Sequence, residues 1–100
     1  MKDFVRIDLT SELNRVDILH VFSRDLPDFT WRTGDSDAMG GYVSGLDESK
    51  VQIQIWTDKS PMDLFISFRA SKSDLEYRSR VLDRVRQSLL EIGQVIMCDA

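Results

Sequence analysis

The fold is decided by two stretches in which apolar and polar residues alternate, VQIQIWT at 51–57 and MDLFISFR at 62–69. Successive side chains of a strand point to opposite faces. Each stretch therefore predicts a strand with one aliphatic face and one more polar face. The connection at 58–61 is short and contains Pro61. The two strands are therefore predicted to form an antiparallel hairpin.

The short turn also sets the register of this hairpin and thereby places its outward side chains. Trp56 is predicted to lie opposite Asp63, and Gln54 opposite Phe65, which makes Trp56 and Phe65 diagonal neighbours. Large aromatic side chains on an uncovered face form a patch of the kind that marks interaction sites. Alternatively, the two rings form a small second core under a loop at 34–41. The sequence leaves both interpretations open.

One amphipathic helix is predicted before this hairpin and one after it. In the first, apolar residues recur at spacings of three and four, and Pro27 ends the helix because a residue before proline disfavours the helical region. The second begins at Ser73, which together with Glu76 matches a capping box. The residues predicted to face the core are Leu13, Val16, Leu19, Phe22 and Leu26 in the first helix and Leu75, Val81, Leu82, Val85, Leu89 and Ile92 in the second.

Shorter strands complete the predicted fold, at 4–9, 29–33 and 42–45, with a candidate edge strand at 95–98. Trp31 and Tyr42, in two of these strands, could belong either to the interaction face or to the second core. Two amphipathic helices need an apolar surface to cover. We therefore predict a single α+β domain over residues 1–100. Both helices lie on one face of an antiparallel sheet, as a ferredoxin-like sandwich with an extra hairpin.

The segment 34–41 is predicted to be a loop because it contains three glycines and two aspartates. Asp35 and Asp37 could offer carboxylate oxygens to a divalent cation, or simply hydrogen-bond the local backbone. We expect the second role because the spacing of a calcium-binding EF-hand is absent. No pairing of a nucleophile with a base can be identified. We therefore predict no metal, no cofactor and no catalytic residue, with His20 on the surface and Cys98 unreactive.

Charge is distributed unevenly along the chain, whose net charge is −4. The segment 23–68 carries four positive and eight negative residues, whereas 69–86 carries six positive and three negative. An acidic segment attracts basic partners and repels phosphate. Glu76 and Asp83 interrupt the stripe of Arg78, Arg80, Arg84 and Arg86, so these arginines are predicted to form a solvated helix face. We do not expect nucleic-acid binding.

The expected location is the cytoplasm. Cys98 is the only cysteine, and a lone thiol fits a reducing compartment. Charged residues interrupt the apolar run at the N-terminus, unlike a signal peptide. No stretch approaches the roughly 20 apolar residues that a membrane-spanning helix needs.

The stretch WRTGDSD at 31–37, followed by GYVSG at 41–45, resembles small bacterial immunity-type proteins, which accompany secreted toxins, and their uncharacterised relatives. The resemblance implies a non-enzymatic protein whose acidic surface blocks the active site of a basic toxin. It assigns no individual residue.

Three functions are therefore considered, in order of preference. The first is a non-enzymatic protein-binding or inhibitory domain with another protein, preferably a basic one, as its partner. The second is a small-ligand-binding domain, monomeric or homodimeric, that uses the space between the sheet and the loop at 34–41. The third is a carboxylate-based enzyme. The predicted binding residues are Trp31, Asp35, Asp37, Tyr42, Trp56 and Phe65.

Overall fold

The computed structural model describes residues 4–9, 15–38, 40–57, 63–68, 74–91 and 96–99. Its elements follow the chain in the order β1 (Phe4–Leu9), α1 (Arg15–Asp25), β2 (Thr30–Ser36), β3 (Gly40–Leu46), β4 (Gln52–Trp56), β5 (Asp63–Ser67), α2 (Leu75–Glu91) and β6 (Ile96–Asp99). Neither helix combines the length and the apolar character that a membrane crossing requires, as far as the described residues go.

The strands form one sheet in the order β2-β3-β4-β5-β1-β6, and every neighbouring pair is antiparallel. Strands β2 to β5 follow one another as a meander, and β1 lies between β5 and β6. The predicted α+β class with an antiparallel sheet is confirmed. The ferredoxin-like assignment stays a prediction.

Both helices pack on the same face of this sheet. Ile18 and Phe22 of α1, and Val81, Val85 and Leu89 of α2, belong to the same buried cluster as one face of the strands. The strand residues in that cluster are Ile7, Val43, Ile53, Ile55, Leu64 and Ile66. These side chains alternate with partly exposed ones along β4, as predicted for a strand covered on one side.

The predicted register of the central hairpin is correct. Trp56 is opposite Asp63, and Gln54 is opposite Phe65, in the β4–β5 pair. A one-residue slip would turn every side chain of a strand to the other face. The buried aliphatic face therefore fixes where the two aromatic rings must point.

The predicted loop at 34–41 is wrong. Strands β2 and β3 stay paired as far as Ser36 and Gly40, so only residues 37–39 lie between them. The glycines suggested a loop, but at Gly34 the glycine makes room for a neighbouring ring. A Cβ atom there would lie 2.5 Å from the Tyr42 hydroxyl. Gly40 has a φ of 81°, which suits the end of a tight turn.

Two predicted core positions are also wrong, because Val16 is 72% exposed and Leu75 is 61% exposed. The buried face of α1 runs through Ile18 and Phe22. Repeated steps of three residues drift around a helix with 3.6 residues per turn, which carries Val16 off that face. In α2 the core face runs through Val81, Val85 and Leu89, and Leu75 precedes it. Leu13 and Ile92 lie outside the described residues.

Helix α2 is capped by Asp74, whose Oδ1 accepts a hydrogen bond of 2.9 Å from the backbone N–H of Tyr77. This interaction satisfies one of the backbone donors that every helix start leaves free. The predicted cap, Ser73, lies outside the described residues.

Candidate protein-binding face

The helices cover only one face of the sheet, and no other described element covers the second face, which we call the open face. Its side chains form three rows across strands β2 to β5 and β1. The row nearest the β3–β4 turn consists of Thr30, Leu46, Gln52, Ser67 and Phe4; the middle row of Arg32, Ser44, Gln54, Phe65 and Arg6; and the third row of Gly34, Tyr42, Trp56 and Asp63. The rows follow from strand pairing, because directly paired residues share a face.

Across strands β2 to β5, the open face carries little charge for a chain in which 30% of the residues are charged. The charged side chains on these strands are Arg32 and Asp63, and Arg6 lies beside them on β1. Arg6 Nη2 donates to Asp63 Oδ1 at 3.1 Å, and Asp63 is only 3% exposed. This pairing compensates the cost of burying the carboxylate. The remaining face combines aromatic and neutral polar groups, the composition found at the centre of protein interfaces.

The aromatic side chains of the open face form two separate pairs. Tyr42 and Trp56 lie opposite each other on β3 and β4, with ring centroids 5.5 Å apart in an edge-to-face arrangement. Phe4 and Phe65 have centroids 5.2 Å apart, and the guanidinium of Arg6 lies 5.9 Å from the centroid of Phe65. Such contacts favour a fixed orientation of the rings. The open face therefore presents ordered aromatic surface.

The predicted alternative, a second core under the loop at 34–41, is not formed in the described residues. Residues 34–36 and 40–41 belong to strands, and Trp56 and Phe65 are only half-buried. The space proposed for a small ligand between sheet and loop is absent from these residues for the same reason.

A small hollow lies beside the second aromatic pair. Phe4, Phe65, Gln52, Gln54 and Ser67 line a volume of about 180 Å³. Its walls combine two phenyl rings with two carboxamides and a hydroxyl. We call it the apolar hollow.

A second hollow of about 520 Å³ lies at the end of the open face near the β3–β4 turn. It shares Gln52 with the apolar hollow. Its acidic walls are Asp28, Asp47 and Glu48, and Arg32 is the one basic residue in its described lining. We call it the acidic hollow.

The turn that carries this acidic group is fixed to helix α2. Asp47 Oδ1 accepts a hydrogen bond of 2.9 Å from the backbone N–H of Val51, and Asp47 Oδ2 accepts one from the hydroxyl of Tyr77. Burial, reinforced by the Asp47 carboxylate, raises the pKa of Tyr77 to about 12. Lys50 within the turn has a φ of 68°, a left-handed conformation. The tether to α2 therefore holds one end of the open face in place.

Asp28, on the other wall of the acidic hollow, pairs with Arg84 of α2 at 2.9 Å. This hydrogen bond lowers the pKa of Asp28, so its carboxylate stays ionised at neutral pH. Glu48 is exposed. The hollow therefore keeps its acidic character at neutral pH.

Trp31 lies on the other face of the sheet from Trp56. Its ring centroid is 5.4 Å from that of Phe22 and 5.8 Å from that of Phe29, and its Nε1 donates to the backbone carbonyl of Leu26 at 3.0 Å. It packs against the helix-covered core. The structure therefore separates Trp31 from Tyr42, Trp56 and Phe65, which share the open face.

Asp35 and Asp37 lie near the β2–β3 turn. Arg15 Nη1 contacts Asp35 Oδ1 at 3.3 Å and the carbonyl of Gly34 at 3.1 Å, and the Asp35 side chain is 73% exposed. Asp37 is exposed in the turn. Within the described ranges, no three His, Cys, Asp or Glu side chains are grouped so that they could hold a metal ion.

A larger open cleft of about 870 Å³ lies along the two helices, but its charged groups mostly contact one another. Arg24 and Asp25 form an ion pair of 2.8 Å, and Ser88 Oγ donates to Asp25 Oδ2 at 2.9 Å. Arg24 lowers the pKa of Asp25. These groups stabilise one another across the helix pair, so we assign the cleft no ligand.

Sequence reasoning missed Phe4 and Leu46 of the open face. The alternation in β1 gives Phe4 the same orientation as Arg6, so its side could have been deduced. That β1 pairs with β5, which brings Phe4 to Phe65, had no local signal. Leu46 was missed because β3 was predicted to end at Gly45.

No protein-family model, curated protein or solved structure matches this chain. The case for a function therefore depends on the geometry and chemistry of the open face.

Proposed function

We propose that this chain is a non-enzymatic protein-binding domain that docks a basic partner protein on its open face. The observation that carries the proposal is the position of both helices on the opposite side of the sheet. It leaves Tyr42, Trp56 and Phe65 partly accessible on a surface that carries little charge. Aromatic side chains surrounded by neutral polar groups supply the anchor residues of protein interfaces.

The charge of the molecule favours a basic partner over a second copy. The net charge is −4, so two copies repel each other, whereas a cationic protein is attracted. Around the open face, Asp28, Glu48 and Asp37 are exposed acidic residues, and Arg32 and Lys50 are exposed basic ones. The excess of exposed acidic over basic residues supports electrostatic steering of a basic protein toward the aromatic side chains of the open face. It agrees with an immunity-type role in the cytoplasm, which we retain as part of the proposal.

The size of the apolar hollow favours a protein over a small metabolite. Its volume of about 180 Å³ is below the roughly 300–1,000 Å³ of ordinary small-ligand pockets. In the two larger hollows, charged residues make up half or more of the lining residues. A partner's side chain matches the smaller volume better.

The proposal is tested with immobilised protein and an extract of the source cells. A captured protein is identified, purified and titrated against the wild type and Trp56→Ala. We expect the substitution to weaken binding at least about 30-fold, because truncating an interface anchor costs about 2 kcal/mol or more. The association rate should fall as salt is added, because opposite charge speeds the encounter.

Leu90→Ala provides the control, because Leu90 is 60% exposed on α2. It should bind the captured protein like the wild type. Equal binding by Trp56→Ala and the wild type would contradict docking on the open face. Weakened binding by Leu90→Ala with intact binding by Trp56→Ala would move the interface to the helices.

A further inference from the structure

The apolar and acidic hollows are neighbours on the open face. The first lies over strands β4, β5 and β1, and the second over β2, β3 and the β3–β4 turn. Gln52 lines both, so a bound segment can reach from one into the other. Adjacent strands are about 4.8 Å apart. The centres of the hollows, about two strands apart, are therefore separated by roughly 10 Å.

The apolar hollow selects an uncharged occupant. Phe4 and Phe65 offer ring surface, and the other lining residues, Gln52, Gln54 and Ser67, are polar but uncharged. Gln52 Nε2 also donates to Gln54 Oε1 at 3.3 Å. A charged group placed there would lose hydration without gaining an opposite charge in the lining. A large apolar side chain can bury its surface on the rings, while the carboxamides can hydrogen-bond its backbone.

The acidic hollow selects a cation. Asp47 accepts hydrogen bonds from the backbone N–H of Val51 and the hydroxyl of Tyr77. Glu48 and Asp28 therefore provide most of the attraction for a bound cation. Asp28 forms an ion pair with Arg84, whereas Glu48 is exposed to solvent. Arg32 and Arg84 together offset two of the three carboxylates, so the net charge around this hollow stays negative. The charge complement of this lining is a lysine or arginine.

We propose that the open face recognises a segment of a basic partner protein that presents a large apolar side chain roughly 10 Å from a lysine or arginine. The inference rests on the proposed protein-binding function and specifies the chemistry of the partner. The apolar side chain enters the hollow between Phe4 and Phe65, and the cation meets Glu48 and Asp28.

The proposed requirement for an apolar side chain and a nearby cation, which we call the recognition rule, is tested with short peptides as probes. In the polyproline II conformation, which has three residues per turn, the Phe and Lys side chains of Ac-Phe-Gly-Gly-Lys-NH₂ point the same way and start about 9 Å apart. The controls are Ac-Ala-Gly-Gly-Lys-NH₂ and Ac-Phe-Gly-Gly-Glu-NH₂. Binding is followed by ¹H–¹⁵N NMR through the side-chain amides of Gln52 and Gln54 and the backbone amide of Glu48. We expect saturable shifts with the Phe…Lys peptide and binding about three- to fivefold weaker with either control. The Glu control loses one exposed ion pair, and the Ala control loses an aromatic contact of similar size.

Three variants of the chain separate recognition from misfolding. Ser67→Leu fills the apolar hollow without removing a ring and should abolish the preference for Phe over Ala. Glu48→Lys should abolish the preference for Lys over Glu. Glu76→Lys makes the same charge change on an exposed position of α2 and should leave both preferences intact.

Three results would overturn the recognition rule. One is the absence of saturable shifts, or shifts that avoid both hollows. Another is equal binding of the three peptides. The third is a set of concentration-dependent shifts without peptide, which would assign the open face to a second copy. If the rule fails while Trp56→Ala still loses the captured partner, only the rule is wrong. If Trp56→Ala keeps that partner, the proposed function is wrong as well.

Discussion

The two faces of the sheet are built from the same strands and end in different environments. On the helix-covered face, Ile53, Ile55 and Leu64 are fully buried. On the open face, the intervening Gln54, Trp56 and Phe65 are only half-buried. Alternation along a strand decides which side chains share a face, but packing against other elements decides which face loses its water. The covered face therefore stabilises the fold, whereas the open face keeps aromatic surface in contact with water, and it is the face on which we propose binding.

The difference between the two faces is tested most directly by replacing two neighbouring residues that point to opposite faces. Leu64→Ala should lower the free energy of unfolding by about 2–5 kcal/mol, because a buried leucine leaves a cavity. Phe65→Ala should cost less, about 1–3 kcal/mol, because a half-exposed ring loses only part of the burial free energy together with one aromatic pair. Urea unfolding measures both. Equal losses in the two variants would mean that the two faces do not differ as described.

A second comparison uses one glycine from each face. A Cβ at Gly45 would lie 2.7 Å from the ring of Trp31, and a Cβ at Gly34 would lie 2.5 Å from the hydroxyl of Tyr42. Trp31 is held by packing and a hydrogen bond, so Gly45→Ala should cost about 1–3 kcal/mol through overpacking.

Tyr42 is half-exposed and can swing outward, so Gly34→Ala should cost less than Gly45→Ala. Thermal and urea unfolding of both variants checks the order. A larger loss for Gly34→Ala would show that the Tyr42 ring is held more firmly than Trp31. The open face would then be the more rigid one.

The smallest predicted effect concerns the link between the faces, from Tyr77 of α2 to Asp47 at the end of the open face. Tyr77→Phe should cost about 1 kcal/mol at neutral pH, the net value of one hydrogen bond. The pKa of Tyr77 is raised from 10.0 to about 12. Its contribution is therefore fully present below pH 10 and is lost as the pH rises from 10 to 12.

The measurement compares urea midpoints of the wild type and Tyr77→Phe at several pH values between 8 and 12. Other groups titrate in both proteins, so the difference between them isolates Tyr77. A difference that stays constant across this range would contradict the proton on Tyr77 as the source of the stabilisation.

Several parts of the candidate site could be predicted from sequence. The short hairpin connection fixed the register of Trp56 and Phe65, because few residues leave few alternative pairings. The segment 34–41 could not be assigned correctly, because glycine is typical of loops and also of strands crossed by a neighbouring ring. Trp31 could not be separated from Trp56, since alternation within β2 does not say which face the helices cover.

The type of most elements, the two sides of each strand and the acidic balance of the molecule can be predicted from the sequence alone. These are local or additive properties, set by spacing and composition. Only the tertiary structure decided that β1 lies between β5 and β6, which brings Phe4 to Phe65, and that Asp28 and Asp47 meet at one end of the open face. Such contacts join residues that are distant along the chain. They form because the whole buried cluster packs together, and no short stretch encodes them.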